Sequence, residues 1–139
     1  MNTDMFKEFM FKLKTNKNQN RATVVFLNGD LGSGKTTFTK NLCKYLNLDI
    51  EIHSPTFVIL KKYDFKVDDF EYLIHIDAYR LNSYEDLKKI KFEDYLIDKN
   101  NLIFIEWPEL VADEDLTADI VISFKYGETE KERVIKIND

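Results

Sequence analysis

Residues 22–37 read ATVVFLNGDLGSGKTT, and this stretch decides the fold. Its first part, Ala22–Asn28, is a continuous run of apolar and β-branched side chains, which is typical of a strand buried on both faces of a sheet. Its second part, from Gly29 to Thr36, matches the phosphate-loop pattern G-x-x-x-x-G-K-[ST]. The alternative is a chance match in a surface turn, but here a buried strand precedes the pattern and an amphipathic helix over 34–47 follows it. The sequence therefore predicts a site for nucleotide phosphates.

Each residue type in the loop suits the binding of phosphate. Glycines at 29, 32 and 34 let the backbone wrap closely around an anion, with the positive end of the following helix beside it. We expect Lys35 to bridge the β- and γ-phosphates and the Thr36 hydroxyl to ligate Mg²⁺. The candidate nucleotide-binding residues of the loop are Gly29, Asp30, Leu31, Gly32, Ser33, Gly34, Lys35, Thr36 and Thr37.

Composition limits the classes of protein that fit. The 139 residues suffice for one domain, and eleven Phe, seven Tyr and one Trp indicate a packed core. A net charge of −5 argues against a dedicated nucleic-acid binder. The single cysteine cannot form an internal disulfide, and the N-terminal segment lacks the apolar run of a signal peptide. We therefore expect one soluble, cytoplasmic domain over residues 1–139.

The rest of the chain predicts alternating helices and strands. Helices are expected over 3–14, 34–47 and 83–90, and strands over 22–28, 57–63, 71–76, 102–105, 118–126 and 133–137. Turns are expected at Lys66–Asp69 and Gly127–Lys131. This order predicts an α/β fold: a P-loop NTPase-like sheet with a parallel centre and an antiparallel flank, and helices on both faces.

Two carboxylates follow apolar strands. Asp77 ends the run Leu73–Ile76, and Glu106 ends the run Leu102–Ile105. Such a position places a carboxylate at the rim of the sheet, where doubly wound folds bind ligands and where a phosphate-loop enzyme needs an acid beside its metal. The alternative for either residue alone is a solvated charge. Next to a phosphate loop, we expect both to belong to the site.

Other candidates leave more than one interpretation open. The segment His53–Phe57 lies where many phosphate-loop proteins sense the γ-phosphate, so Thr56 is a candidate contact, although an ordinary Ser-Pro turn also fits. Trp107 can pack on a nucleotide or a partner, or in the core. His75 fits a satisfied core histidine better than a catalytic one. Arg80 can hold phosphate charge or pair with an acid.

Four motifs together resemble the bacterial TsaE family, formerly YjeE. They are GDLGSGKTT at 29–37, SPTF at 54–57, HIDAYRL at 75–81 and EWPE at 106–109. The phosphate loop alone fits many families, whereas its combination with the other three motifs, in this order and spacing, is highly specific. The resemblance covers roughly residues 22–110.

This resemblance implies a function and a set of site residues. It implies ATP bound with Mg²⁺, slow hydrolysis, and work with the TsaB–TsaD pair, which transfers a threonylcarbamoyl group to adenosine 37 of tRNAs reading codons that begin with A. Lys35, Asp77 and Glu106 match the catalytic positions, and Thr36 and Glu106 match the metal contacts. Thr56, Trp107 and Glu109 complete the nucleotide-binding set implied by the motifs.

Three other functions fit the sequence less well. A GTPase would need a guanine-reading N/T-K-x-D motif, which is missing. A small-molecule kinase usually needs a longer chain and more than the three arginines present here. A nucleotide-binding adaptor without useful turnover overlaps with the implied function, and only ATP turnover with and without the transferase pair separates the two.

Overall fold

Six strands and four α-helices make up the part of the chain that the structure describes. This computed structural model describes residues 3–30, 34–52, 59–126 and 133–138. The helices are α1 (Thr3–Thr15), α2 (Lys35–Tyr45), α3 (Tyr84–Lys89) and α4 (Phe92–Leu96). The strands are β1 (Thr23–Gly29), β2 (Leu60–Val67), β3 (Phe70–Asp77), β4 (Asn101–Glu106), β5 (Ile120–Tyr126) and β6 (Arg133–Asn138). A 3-10 turn spans Pro108–Leu110. Among the described residues, no helix is long and apolar enough to cross a membrane.

The strands form one sheet in the order β2-β3-β4-β1-β5-β6. β1 pairs in parallel with β4 and β5, and β3 pairs in parallel with β4. The two edge strands, β2 and β6, are antiparallel to their neighbours. The predicted sheet, with its parallel centre and antiparallel flanks, is therefore confirmed. Because β1, β3 and β4 run the same way, their carboxyl ends meet at one rim.

Alternating side chains of the central strands build two apolar clusters. One contains Phe9 of α1, Phe38 of α2 and Phe104 of β4, all fully buried. The other contains Leu87 of α3 and Phe92 of α4, together with isoleucines of β3 and β4. Since successive strand residues point to opposite faces, the sheet carries helices on both sides, as predicted.

The structure corrects several boundaries. β2 continues through Val67, so the turn is confined to Asp68 and Asp69, where Asp68 adopts a left-handed φ of 51°. The helix α4 was not predicted. It is separated from α3 by Lys91, whose left-handed φ of 63° interrupts the helical backbone. α2 ends at Tyr45 rather than at residue 47. Residues 57 and 58 of the predicted second strand, and the turn at 127–131, lie outside the described residues.

Phe38 is the centre of the larger cluster. Its ring lies 5.5 to 5.7 Å from the rings of Phe6, Phe9 and Phe124, and 6.5 Å from that of Phe104. These contacts join α1, α2, β4 and β5, and Phe38 is 0% exposed. The helix that begins at the phosphate loop is thus anchored to the sheet by aromatic packing.

We expect Phe38→Ala to lower the free energy of unfolding by about 3–5 kcal/mol, because it leaves a cavity that four rings cannot close. The matched control is Phe11→Ala, since Phe11 lies on α1 and is 71% exposed; it should change stability by less than about 0.5 kcal/mol. Urea denaturation of both variants measures the difference. Equal effects would show that the ring cluster does not anchor α2.

Candidate functional site

The loop between β1 and α2 begins and ends with backbone that suits an anion. β1 ends at Gly29 and α2 begins at Lys35. Gly34 precedes the helix with a φ of 105°, a conformation that residues with a side chain rarely adopt. Asp30 is exposed, whereas Leu31, Gly32 and Ser33 lie outside the described residues. The unusual backbone expected of the loop glycines is therefore found at Gly34, whereas Gly29 has the extended conformation of a strand residue.

Lys35 is held at the mouth of the site by a carbonyl and an aromatic ring. Its Nζ donates a hydrogen bond of 2.7 Å to the Gly29 oxygen and lies 3.7 Å from the centre of the Trp107 ring. The side chain is only 5% exposed. Burial lowers the pKa of Lys35, and the charges of Glu106, Glu109, Asp77 and Asp30 partly oppose this effect. Desolvation of the ammonium group therefore outweighs the attraction of these four carboxylates.

Glu106 connects the helix to the sheet. It is the last residue of β4, is 4% exposed, and its Oε2 accepts a hydrogen bond of 2.9 Å from the Thr36 hydroxyl. The same oxygen lies 2.6 Å from Nε2 of His75. A single carboxylate oxygen thus receives contacts from α2 and from β3.

Asp77 lies beside Glu106 at the same rim. It is the last residue of β3 and is paired in register with Glu106. Its Oδ1 accepts a hydrogen bond of 3.0 Å from the backbone N–H of Tyr79. Burial raises the pKa of Asp77, and the charge of Glu106 adds to this effect; the Tyr79 N–H, His75 and Lys35 act in the opposite direction. The desolvated carboxylate is more basic than an ordinary aspartate.

The remaining candidates are Trp107, Thr37, Glu109 and Thr56. Trp107 is half-buried with a left-handed φ of 59°, and its ring lies 5.2 Å from the ring of the exposed Tyr79. Thr37 and Glu109 are exposed. Thr56 lies outside the described residues, so its role stays a prediction.

The sequence interpretation missed the part played by His75. It is buried, as expected of a core histidine, but it contacts Glu106, and its Nδ1 has no hydrogen-bond partner in the described part of the chain. It is therefore not a satisfied core residue. The signal was the alternation of β3, which puts Leu73, His75 and Asp77 on one face of the sheet.

The donor set fits Mg²⁺. The described residues contain no cluster of three or more His, Cys, Asp or Glu side chains arranged to hold a metal ion. Mg²⁺ usually takes one or two protein oxygens and fills its other positions with water and phosphate. The Thr36 hydroxyl and the Glu106 carboxylate, 2.9 Å apart, are oxygens of this kind.

These features define the class of protein. A mainly parallel sheet whose central strand leads through a glycine loop into a helix packed on the sheet, with carboxylates at the ends of neighbouring strands, is a P-loop NTPase-like fold. A solved structure supports this assignment. The crystal structure of Bacillus subtilis YdiB matches with a TM-score of 0.62 and 29% identity, covering 97% of this chain and 78% of that chain.

The chain belongs to the TsaE family. The family described as "Threonylcarbamoyl adenosine biosynthesis protein TsaE" matches residues 2–135. The tRNA threonylcarbamoyladenosine biosynthesis protein TsaE of Haemophilus influenzae is 33% identical over 121 residues, which cover 87% of this chain and 72% of that protein. Its namesake in Borreliella burgdorferi is 35% identical over 133 residues, covering 95% and 88%. The resemblance stated from four motifs is confirmed, and the family places the protein in threonylcarbamoyladenosine biosynthesis.

We expect Asp77→Asn to remove a pH-dependent loss of stability from the nucleotide-free protein. Because the folded-state pKa of Asp77 lies above its ordinary value of 3.8, the folded protein binds more protons than the unfolded chain between these two values. The Asp77 contribution to stability therefore falls as pH rises through that interval. The asparagine keeps the oxygen that accepts the Tyr79 hydrogen bond.

Urea denaturation of wild type and Asp77→Asn at a series of pH values, from about 3 to about 7, measures this effect. The variant should gain stability relative to wild type as pH rises through the interval, and the gain should then level off. A difference that stays constant over the whole series would contradict the assigned desolvation of Asp77.

Proposed function

We propose that the protein is a Mg²⁺-dependent, ATP-binding and slowly hydrolysing subunit that supports the TsaB–TsaD transferase. The product of that transferase is N6-threonylcarbamoyladenosine at position 37 of tRNAs reading codons that begin with A. The observation that carries the proposal is the meeting of Lys35, Thr36 and Glu106 at the end of β1, within a family of threonylcarbamoyladenosine biosynthesis. We propose that the protein acts in the cytoplasm and contacts tRNA only through its partners.

The first step in the proposed function is phosphate binding. Lys35 is desolvated and rests on a neutral carbonyl and a ring, so a phosphate oxygen offers it a stronger, charge-assisted partner. The helix N-terminus behind it adds the positive end of the α2 dipole. Lys35 then exchanges the Gly29 oxygen for the β- and γ-phosphates. Trp107 and Glu109 border the rest of the nucleotide.

The second part of the proposed function is a metal site, which Thr36 and Glu106 would form for Mg²⁺ at the rim of the sheet. The Thr36 hydroxyl would be a direct ligand, and Glu106 would hold the metal or its water molecules. When bound, the ion neutralises charge that develops on the phosphate oxygens during hydrolysis. The hydrogen bond between Thr36 and Glu106 already brings both ligands to one place.

The third step is the orientation of the attacking water. Asp77 lies next to Glu106, and its raised pKa makes it a better proton acceptor than an exposed aspartate. It acts either on this water directly or through the hydration shell of the metal. The nucleotide is expected to be ATP rather than GTP, because the chain has no guanine-reading motif.

Two variants separate binding from hydrolysis. Lys35→Ala should weaken ATP binding by about tenfold or more, since it removes a charge-assisted contact worth roughly 1.5–3 kcal/mol. Glu106→Ala should bind ATP but lose most Mg²⁺-dependent hydrolysis, because a metal ligand acts mainly on charge in the transition state. Calorimetry with ATP and phosphate release with Mg²⁺ measure the two effects.

The control for these variants is Lys40→Ala, which removes an exposed lysine from the same helix. It should leave both binding and hydrolysis unchanged. Folded Lys35→Ala with wild-type ATP affinity would overturn the assignment of the phosphate site. GTP that competes as well as ATP would contradict the choice of nucleotide.

The partner part of the proposal follows from the size of the chain. The recognised motifs are nearly all assigned to ATP, and the sequence shows no motif for threonylcarbamoyl chemistry. The protein should therefore act on a larger enzyme through its nucleotide state. A nucleotide shifts the equilibrium between two conformations of a protein only by binding one conformation more tightly than the other.

We expect the affinity for the TsaB–TsaD pair to differ between ATP and ADP, and Thr56→Ala to reduce that difference while leaving phosphate-loop binding largely intact. Affinity measurements with a non-hydrolysable ATP analogue, with ADP and without nucleotide test this, and the exposed Thr117→Ala is the control. Equal affinities in all three states would overturn the partnership. Nucleotide-dependent binding without ATP turnover would favour an adaptor over an ATPase.

A further inference from the structure

His75 is a polar residue inside the apolar core. It lies in β3 between Ile74 and Ile76, which point to the opposite face, and it is 0% exposed. Its Nε2 lies 2.6 Å from Oε2 of Glu106. Because the ring is closed to solvent, we expect His75 to act through Glu106.

The contact identifies which ring nitrogen donates. A carboxylate oxygen accepts hydrogen bonds, so Nε2 of His75 donates to Oε2 of Glu106. Nδ1 is buried and has no partner among the described residues. An unpartnered buried polar atom is unfavourable, whereas leucine or isoleucine would fill the same space without that penalty. The packing of the core therefore does not explain the histidine, but its bond to Glu106 does.

The two donors hold Glu106 from different elements. Thr36 reaches Oε2 from α2, and His75 reaches the same oxygen from β3. In the described part of the chain, no hydrogen bond to Oε1 is found, so that oxygen remains available at the rim. If Thr36 turns its hydroxyl toward a metal, His75 is the donor that continues to hold the carboxylate.

We propose that His75 is the positioning residue that orients Glu106 for Mg²⁺, by fixing one carboxylate oxygen so that the other faces the phosphate site. This inference rests on the proposed function, because it concerns the same metal. Donors that fix a ligating carboxylate typically change metal affinity or activity by 10- to 100-fold when they are removed.

The experiment measures how much Mg²⁺ strengthens the binding of ADP, by calorimetry with Mg²⁺ and with EDTA. His75→Leu should reduce the Mg²⁺-dependent gain in affinity about tenfold or more, and ADP affinity in EDTA should stay at the wild-type level. The half-saturating Mg²⁺ concentration for hydrolysis should rise in parallel. Thr39→Val is the control: it removes a buried hydroxyl of α2 that lacks a described partner and does not contact the site.

Two further variants keep the test independent of folding defects caused by leucine. His75→Gln places an amide N–H near the position of Nε2 and should retain most of the Mg²⁺ effect. His75→Asn places it near Nδ1, out of reach of Glu106, and should lose the effect. In a Glu106→Ala background, His75→Leu should cause no additional loss, because its action passes through that carboxylate.

The outcomes distinguish this inference from the function on which it rests. If wild type shows no Mg²⁺ effect on nucleotide binding, the proposed function is wrong and this inference with it. If wild type shows the effect and folded His75→Leu retains it, only the positioning role of His75 is overturned. Equal behaviour of His75→Gln and His75→Asn would overturn it as well.

Discussion

The geometry of the site depends on the register of three parallel strands. β1, β4 and β3 are paired so that Leu27, Glu106 and Asp77 lie side by side. Because the chain leaves β1 two residues later and returns as α2, Thr36 meets Glu106 at 2.9 Å. A slip of one residue in β4 would turn Glu106 to the opposite face, among isoleucines. The backbone pairing of the strands therefore determines the contact between the side chains of Thr36 and Glu106.

The register of the strands brings charged side chains together in a desolvated part of the molecule. Lys35 and Asp77 are both desolvated, and burial biases each toward its neutral form, since it lowers the pKa of the lysine and raises that of the aspartate. Apolar side chains surround them on the sheet, and Trp107 covers the lysine. A phosphate with its metal ion would bring charges of both signs to such a site, so the proposed ligand would offer each desolvated group an opposite charge.

Much of this arrangement was predictable from the sequence, because it follows from local patterns. Three short-range signals predict the central sheet and the residues at its rim. They are the run at 22–28, the glycine loop, and the apolar runs that end in Asp77 and Glu106. The contact of His75 with Glu106 was not predictable in the same way, since strand alternation gives a face but not a hydrogen-bond partner. The left-handed Lys91 and Trp107 were missed for a related reason: a positive φ at a residue other than glycine is set by tertiary packing rather than by local preference.

The position of β1 at the centre of the sheet has a consequence for how the chain folds. Val25 of β1 pairs with Phe104 and with Ile120, so both neighbours of the central strand are made long after it during synthesis. Until then its apolar residues lack their sheet partners, and closing such distant pairs is slow because the loop entropy is lost first. The nascent protein therefore passes through a long interval in which the side chains of β1 that are buried in the folded protein are open to solvent and to other chains. The same strand that leads into the phosphate loop is thus a segment at which a ribosome-bound chain needs protection from aggregation.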